Sequence, residues 1–360
     1  MIPGRVPRIE PVRRGGSACS TQAHWFIPLL WLPLGARTLA EGQVSPAILG
    51  TAGLFATGAL GLARAYRSTL RFYRGEIANR TACAPRARRP GSGGGALLVE
   101  RTLPMLSEET AAVALTNFRS MTRAPEVKLA LAMNVAIFLV IGAGVLVRHH
   151  AELPVAARPF VASGGVLVTF LGLLQVLFNL FGFDRQGFRA LVLLPTARHH
   201  ILLGKNLSLA PFAAAVFGII LALLTILLHL GLAVVLAVGL EFCAAFLALS
   251  TLGDLASILM PYRIAAGSLK PTKTQATTNL LIGLTQMLLS MVLLPVFIPP
   301  GLGWLCDHFG WLPGAPVMLA SAVVLAALGA LLYRATLEPL GKLLQRREQR
   351  ILQIVTQEVE

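Results

Sequence analysis

Apolar residues in this chain come in long blocks, not in the alternation of a strand or the one-sided stripe of a soluble helix. Six blocks follow one another at residues 128–147, 161–182, 207–230, 232–253, 279–297 and 315–333. Each is about as long as an α-helix must be to cross the hydrocarbon of a bilayer. In lipid a segment has to satisfy its own amides and carbonyls, so the blocks predict helices. Another full-length block, 46–66, precedes them, and a shorter one at 25–34 is interrupted by Pro28 and Pro33. The predicted fold is all-α: a polytopic transmembrane helix bundle with a six-helix core and one or two N-terminal transmembrane segments.

Between the blocks the period changes. Residues 107–125 place Ala111, Ala114, Leu115, Phe118 and Met121 on one helical face. Ser107 can cap that helix, and Glu108 and Glu109 suit its first turn. Arg119 and Arg123 suit its last turn, and Pro125 ends it. This predicts an amphipathic helix along the inner membrane surface, with packing on protein as the alternative. After Arg334, Leu340, Leu343, Leu344, Ile351, Ile354 and Val355 recur at near-helical spacing among basic residues. Residues 334–360 therefore predict a cytoplasmic amphipathic tail helix, separate from the last span or continuous with it, that packs on a partner or on lipid. The stretch RTACAPRARRPGSGGG, from Arg80, has no apolar period. It opens a flexible cytoplasmic linker, 80–106, between an N-terminal segment, 1–79, and a core at 107–333.

Composition agrees with the pattern. Of the residues, 55% are hydrophobic and 13% charged, too little charge for the surface of a soluble domain of this length. A net charge of +15 raises the question of nucleic acid. The Lys and Arg residues, however, flank the apolar blocks and form no dense basic face, so topology and anionic lipid headgroups account for them. Arg123 and Lys128 precede the first core block. Arg185, Arg189, Arg198 and Lys205 lie between the second and third, Arg263, Lys270 and Lys273 between the fourth and fifth, and Lys342, Arg346, Arg347 and Arg350 after the sixth. The alternate connections are poor in them, with Arg148 and Arg158 as the exceptions. The positive-inside rule puts both ends of the core in the cytoplasm. Cys19, Cys83, Cys243 and Cys306 have neither metal nor disulfide spacing. Gly35-Ala36-Arg37, directly after the 25–34 block, is a poor cleavage site, so the block does not read as a clear secretory signal.

Several residues invite chemistry. The loop 183–206 is short and basic, yet holds Phe188, Leu191, Val192 and Leu193. An apolar turn there fits either a protein-docking surface or a helix lying back on the membrane. Gly204-Lys205 is no phosphate loop: Asn206 follows it, and His199 stands where the first glycine belongs. Glu241 is the one acid well inside a core block. A carboxylate at that depth is costly, so it faces the bundle, either structurally or as a proton-coupling group. Gln175, Asn179, Asn279 and Gln286 share its depth and either bond between helices or line a translocation path. His149-His150 and His199-His200 are adjacent, a poor spacing for chelation on a helix. We read no metal site and no catalytic residue. The aromatic loop 299–316, with Trp304, Phe309 and Trp311, predicts interfacial anchors or a short external re-entrant turn.

Three stretches carry a resemblance: FGFDRQGFRALVLLPTARHHILLGKNLSLAP, SILMPYRIAAGSLKPTKTQ and SEETAAVALTNFRSMTRAPEVKLAL. Each resembles the corresponding part of bacterial ABC-2 type exporter permeases, through soft patterns over about residues 64–350; residues 1–34 match nothing in that family. The resemblance implies a six-helix ABC-2 type core in a bacterial inner (plasma) membrane. It implies a homodimer, or a heterodimer with another permease. It further implies a separate ABC ATP-binding subunit that carries ATP and Mg, so that this chain binds no cofactor and is no enzyme. Asp184, Arg185, Phe188, Arg189, Leu191 and Arg198 would then form the ATPase-coupling loop. Glu108, Phe118, Arg119 and Arg123 would sit on the connecting helix beside it, and residues 304–311 would dip into the membrane from outside. Two other functions stay open: an ion- or proton-coupled secondary transporter using Glu241, and a membrane-embedded lipid enzyme. The enzyme would need a convergent His, Asp, Ser or Cys set that the sequence does not present.

Overall fold

Helices make up all the regular structure among the described residues of the computed structural model, which are 31–40, 42–73, 106–143, 153–262 and 291–356. Within these residues six helices are long and apolar enough to cross a membrane: Val44–Arg67, Val155–Leu174, Arg198–Leu228, Leu232–Leu259, Met291–His308 and Gly314–Thr356. The protein is an all-α, multi-pass helix bundle. The chain divides into two compact units, Met1–Gly94 and Gly95–Glu360.

In the first unit, α1 (Trp31–Ala40) folds back on α2 (Val44–Tyr73) through a turn at Gly42, whose φ is +80°. The backbones come close: a Cβ on Gly50 would lie 2.8 Å from the Trp31 carbonyl oxygen. Residues 25–30 of the predicted short block lie outside the described residues.

The second unit opens with α3 (Glu108–Arg123). Ser107 caps it, its Oγ accepting from the Thr110 amide at 3.4 Å. Pro125 ends α3 by holding Ala124 extended, and begins α4 (Pro125–Ile137), where a missing N–H costs nothing. The apolar face of α3 buries Ala111, Ala114 and Met121 in packing against α7 (Arg198–Leu228), so protein covers it where the sequence favours the membrane surface. After Ile137 the chain widens into a π-helical turn, Phe138–Ala143. The rest of the predicted 128–147 block lies outside the described residues.

A 3-10 turn, Val155–Ala157, leads into α5 (Arg158–Leu177). Short α6 (Phe188–Leu193) follows, preceded by a 3-10 turn at Arg185–Gly187. Then come α7 and α8 (Leu232–Leu259). A 3-10 turn, Leu294–Phe297, precedes α9 (Ile298–His308), and α10 (Gly314–Thr356) ends the described chain.

Three boundaries differ from the sequence reading. α7 starts at Arg198, not 207, and so carries Lys205 and Asn206 inside a helix. α8 runs past 253 and takes in Asp254. The predicted 299–316 loop is largely α9, stopped by Gly310 at φ +68°, with the Trp311 amide donating to the Cys306 carbonyl at 3.0 Å. Of the two readings of the tail, the continuous one holds: the last span and the tail form one helix of 43 residues, through Pro339. Residues 279–290 of the fifth predicted block lie outside the described residues.

The core lies between α5, α7, α8 and α10. Phe242 stacks on Phe217 at 4.3 Å between centroids and on Phe170 at 5.5 Å. Small residues let the backbones meet: a Cβ on Gly253 would fall 2.5 Å from the Leu177 carbonyl oxygen. In lipid, where water drives no helices together, such close contact is what holds a bundle. Leu129, Ile219, Ile226 and Leu331 point outward and suit an acyl-chain environment.

Candidate functional site

Below α5 the chain turns through 178–184, passes Arg185 at φ 50°, forms six-residue α6 and returns extended into α7. We call residues 183–197 the elbow. Six residues cannot sustain a helix in isolation, and two side chains fix this one. Phe188 is buried and meets Phe181 edge-on at 5.1 Å. Arg198 donates from Nη2 to the Val192 carbonyl at 2.9 Å and from Nη1 to that of Leu194 at 3.0 Å, taking up carbonyls the helix end leaves open. Its other side meets Glu348 of α10, with Nε and Nη2 each 2.9 Å from Oε2.

Beneath the elbow lies a buried polar layer. Lys205 is 1% exposed. Its Nζ donates to the Leu180 carbonyl at 3.1 Å, pairs with Asp184 Oδ2 at 2.5 Å and stands 5.4 Å from the centre of the Phe181 ring. Burial pushes the Asp184 carboxyl above the usual range, and Lys205 pulls it back. One residue on, Asn206 Nδ2 donates to Asp254 Oδ2 at 2.8 Å and to Tyr333 Oη at 3.0 Å, tying α7 to α8 and α10. The Ser257 hydroxyl accepts from the Leu180 amide at 3.0 Å. Asn117 on α3 donates to Ser208 at 2.6 Å. The His200 ring shares Nδ1 with the Ser107 and Thr110 hydroxyls, at 3.1 and 2.9 Å. These links join α3 and the segment 180–184 to α7 and α8, and α7 to α8 and α10.

A cleft of about 740 Å³ separates α3 from the elbow. Glu108, Glu109 and Asn117 line one wall, Leu191, Leu194 and Pro195 the other, and Asp184 and Lys205 its base. The outer elbow presents Gln186, Arg189 and Ala190 to the surface, and Leu193 is 81% exposed.

The residues that the sequence groups in the coupling loop thus separate into two sets. Arg189 faces outward, and Leu191 is half-buried at the cleft. Asp184, Phe188 and Arg198 turn inward and build the elbow. Arg185 is half-buried at its strained entry. On α3, Glu108, Arg119 and Arg123 are exposed, and Phe118 meets Phe212 of α7 at 5.1 Å.

The translocation-path candidates do not converge. Asn179 is fully buried, its Nδ2 donating to the Tyr262 carbonyl at 2.8 Å, which makes it a clasp at the elbow end. Glu241 is fully buried higher in α8, facing Ser163 of α5; neither oxygen has a well-formed hydrogen bond among the described residues. Gln175 lies on α5, while Asn279 and Gln286 lie outside the described residues. The rings of His199 and His200 lie 4.2 Å apart, tilted by 38°, and His149-His150 lie outside the described residues.

Sequence reasoning missed Lys205, Asn206, Asp254 and Tyr333. A signal was present: on one helix, Lys205-Asn206 falls in register with Ser208, while Asp254 and Ser257 recur at i, i+3 on another. The predicted span edges at 207 and 253 hid it. Compared with known protein families, with curated proteins and with solved structures, the chain matches none.

Proposed function

We propose that this chain is the membrane-spanning permease subunit of an ATP-driven exporter of the ABC-2 type, worked by a separate ATP-binding subunit. One observation carries the reading: a short helix, too small to stand alone, is held rigidly at the bundle's polar end beside an open cleft, with Arg189 and Leu193 outward. An anchored ridge of mixed charge and leucine suits contact with another protein. The layer beneath it supports the same reading, because a push on Asp184 or Leu180 reaches α7 directly through Lys205. In this reading the elbow and α3 are cytoplasmic, the membrane is a bacterial inner membrane, and a homo- or heterodimeric pair of permeases rocks between inward- and outward-facing states. Nucleotide and Mg belong to the partner.

The test is purification from native membranes in mild detergent. An ATP-binding chain should co-purify, and Arg189→Glu with Leu193→Asp should release it while the bundle stays folded. Transport by the purified chain alone would overturn the proposal. The buried, poorly bonded Glu241 supports one competing reading, a proton-coupled transporter. There Glu241→Gln would abolish transport, whereas in the exporter it would change it little.

A further inference from the structure

The tail of α10 has no need to lie against the elbow, yet it does so along its length. Leu340, Leu344, Ile351 and Val355 close over Phe188 and Leu202 in one buried cluster. Glu348 holds Arg198 from the far side of the carbonyl clamp. Gln186 Nε2 reaches the Thr356 carbonyl at 3.5 Å. Gly341 sets the approach: a Cβ there would stand 2.7 Å from the His199 amide nitrogen, so any other residue would push the two helices apart. Lys342, Arg346 and Arg350 stay on the outer side. The helix is unbroken from Gly314 to Thr356, so the segment against the elbow is an extension of the last apolar span. An α-helix advances 1.5 Å per residue, and the part beyond Tyr333 therefore reaches about 35 Å.

We propose that residues 337–356 are a strut that sets the orientation of the elbow, with Arg198 and Glu348 as its positioning residues and Gly341 as the contact that lets it approach. Any tilt of the last span then turns the elbow, and any load on the elbow returns to that span. The functional consequence rests on the exporter reading above; the strut itself rests on geometry alone.

Amide hydrogen exchange of the full chain in lipid nanodiscs tests it. In Gly341→Leu and Glu348→Gln, exchange over residues 186–197 should quicken by about tenfold. Exchange over 232–259 should stay unchanged, and Glu348→Asp should behave nearly as the parent. Equal elbow exchange in both variants and the parent would overturn the strut. Should a variant lose protection throughout, a second measurement decides. With the four native cysteines replaced by serine, a short bismaleimide should join Gln186→Cys to Thr356→Cys in the otherwise unaltered chain; absence of that link would overturn the proposal. Neither readout involves ATP. If no ATP-binding chain co-purifies, the exporter reading falls while the strut stands.

Discussion

Lys205 concentrates the chemistry of this protein at one position. Its ammonium is fully desolvated, and the Leu180 carbonyl, the Asp184 carboxylate and the face of Phe181 replace its water. Taking one member from such a pair strands the other. Lys205→Met should therefore cost about 3–5 kcal/mol, and adding Asp184→Asn should recover most of that. Thermal unfolding of the two variants in detergent measures both. The sequence could not place this residue. Loop and helix lysines look alike in a charge count, and a cation beside an apolar block is ordinarily counted toward topology. Asp254 was hidden for a related reason, since Gly253 reads as the end of a span. In the fold that glycine is a contact point, and the helix passes through it. Glu241, by contrast, was legible as a buried acid, because apolar residues flank it on both sides.

Among the elements, α3 was the most legible. Its cap, its charged ends and its terminating proline are all local signals, and local signals survive whatever packs on them. What covers its apolar face is a tertiary matter and could not be read. The same holds for α10, where a period was visible but not its partner. Where helices touch, glycines mark the crossings. Gly253→Leu has to displace the Leu177 backbone of α5, and we expect a loss of about 1–3 kcal/mol. Gly218→Ala on α7 meets nothing within 4 Å and should gain up to about 1 kcal/mol from helix propensity. Unfolding midpoints of the two variants separate crowding from propensity.

At the scale of the chain, the candidate spans at Val44–Arg67, Val155–Leu174, Arg198–Leu228, Leu232–Leu259 and Gly314–Thr356 fall on apolar blocks, because lipid forbids an unsatisfied backbone, whereas Met291–His308 lies mostly on residues read as an external loop. Which face of the membrane each end occupies is an inference from Lys and Arg placement. It predicts that, in a chain without native cysteines, Arg189→Cys reacts with a membrane-impermeant maleimide in inverted vesicles and not in intact cells. Phe309→Cys should do the reverse. The opposite labelling pattern would turn the bundle over and remove the elbow from any cytosolic ATPase.

The pairing of Arg198 with Glu348 spans 150 residues of chain. A ribosome adding about 5–20 residues per second needs roughly 8–30 s to travel that far. Throughout that interval the nascent elbow has its arginine but not its glutamate, and the leucines of its brace have yet to be translated. A companion that recognises only the finished shape would ignore nascent and prematurely terminated copies, so the order of translation itself would act as proofreading for assembly.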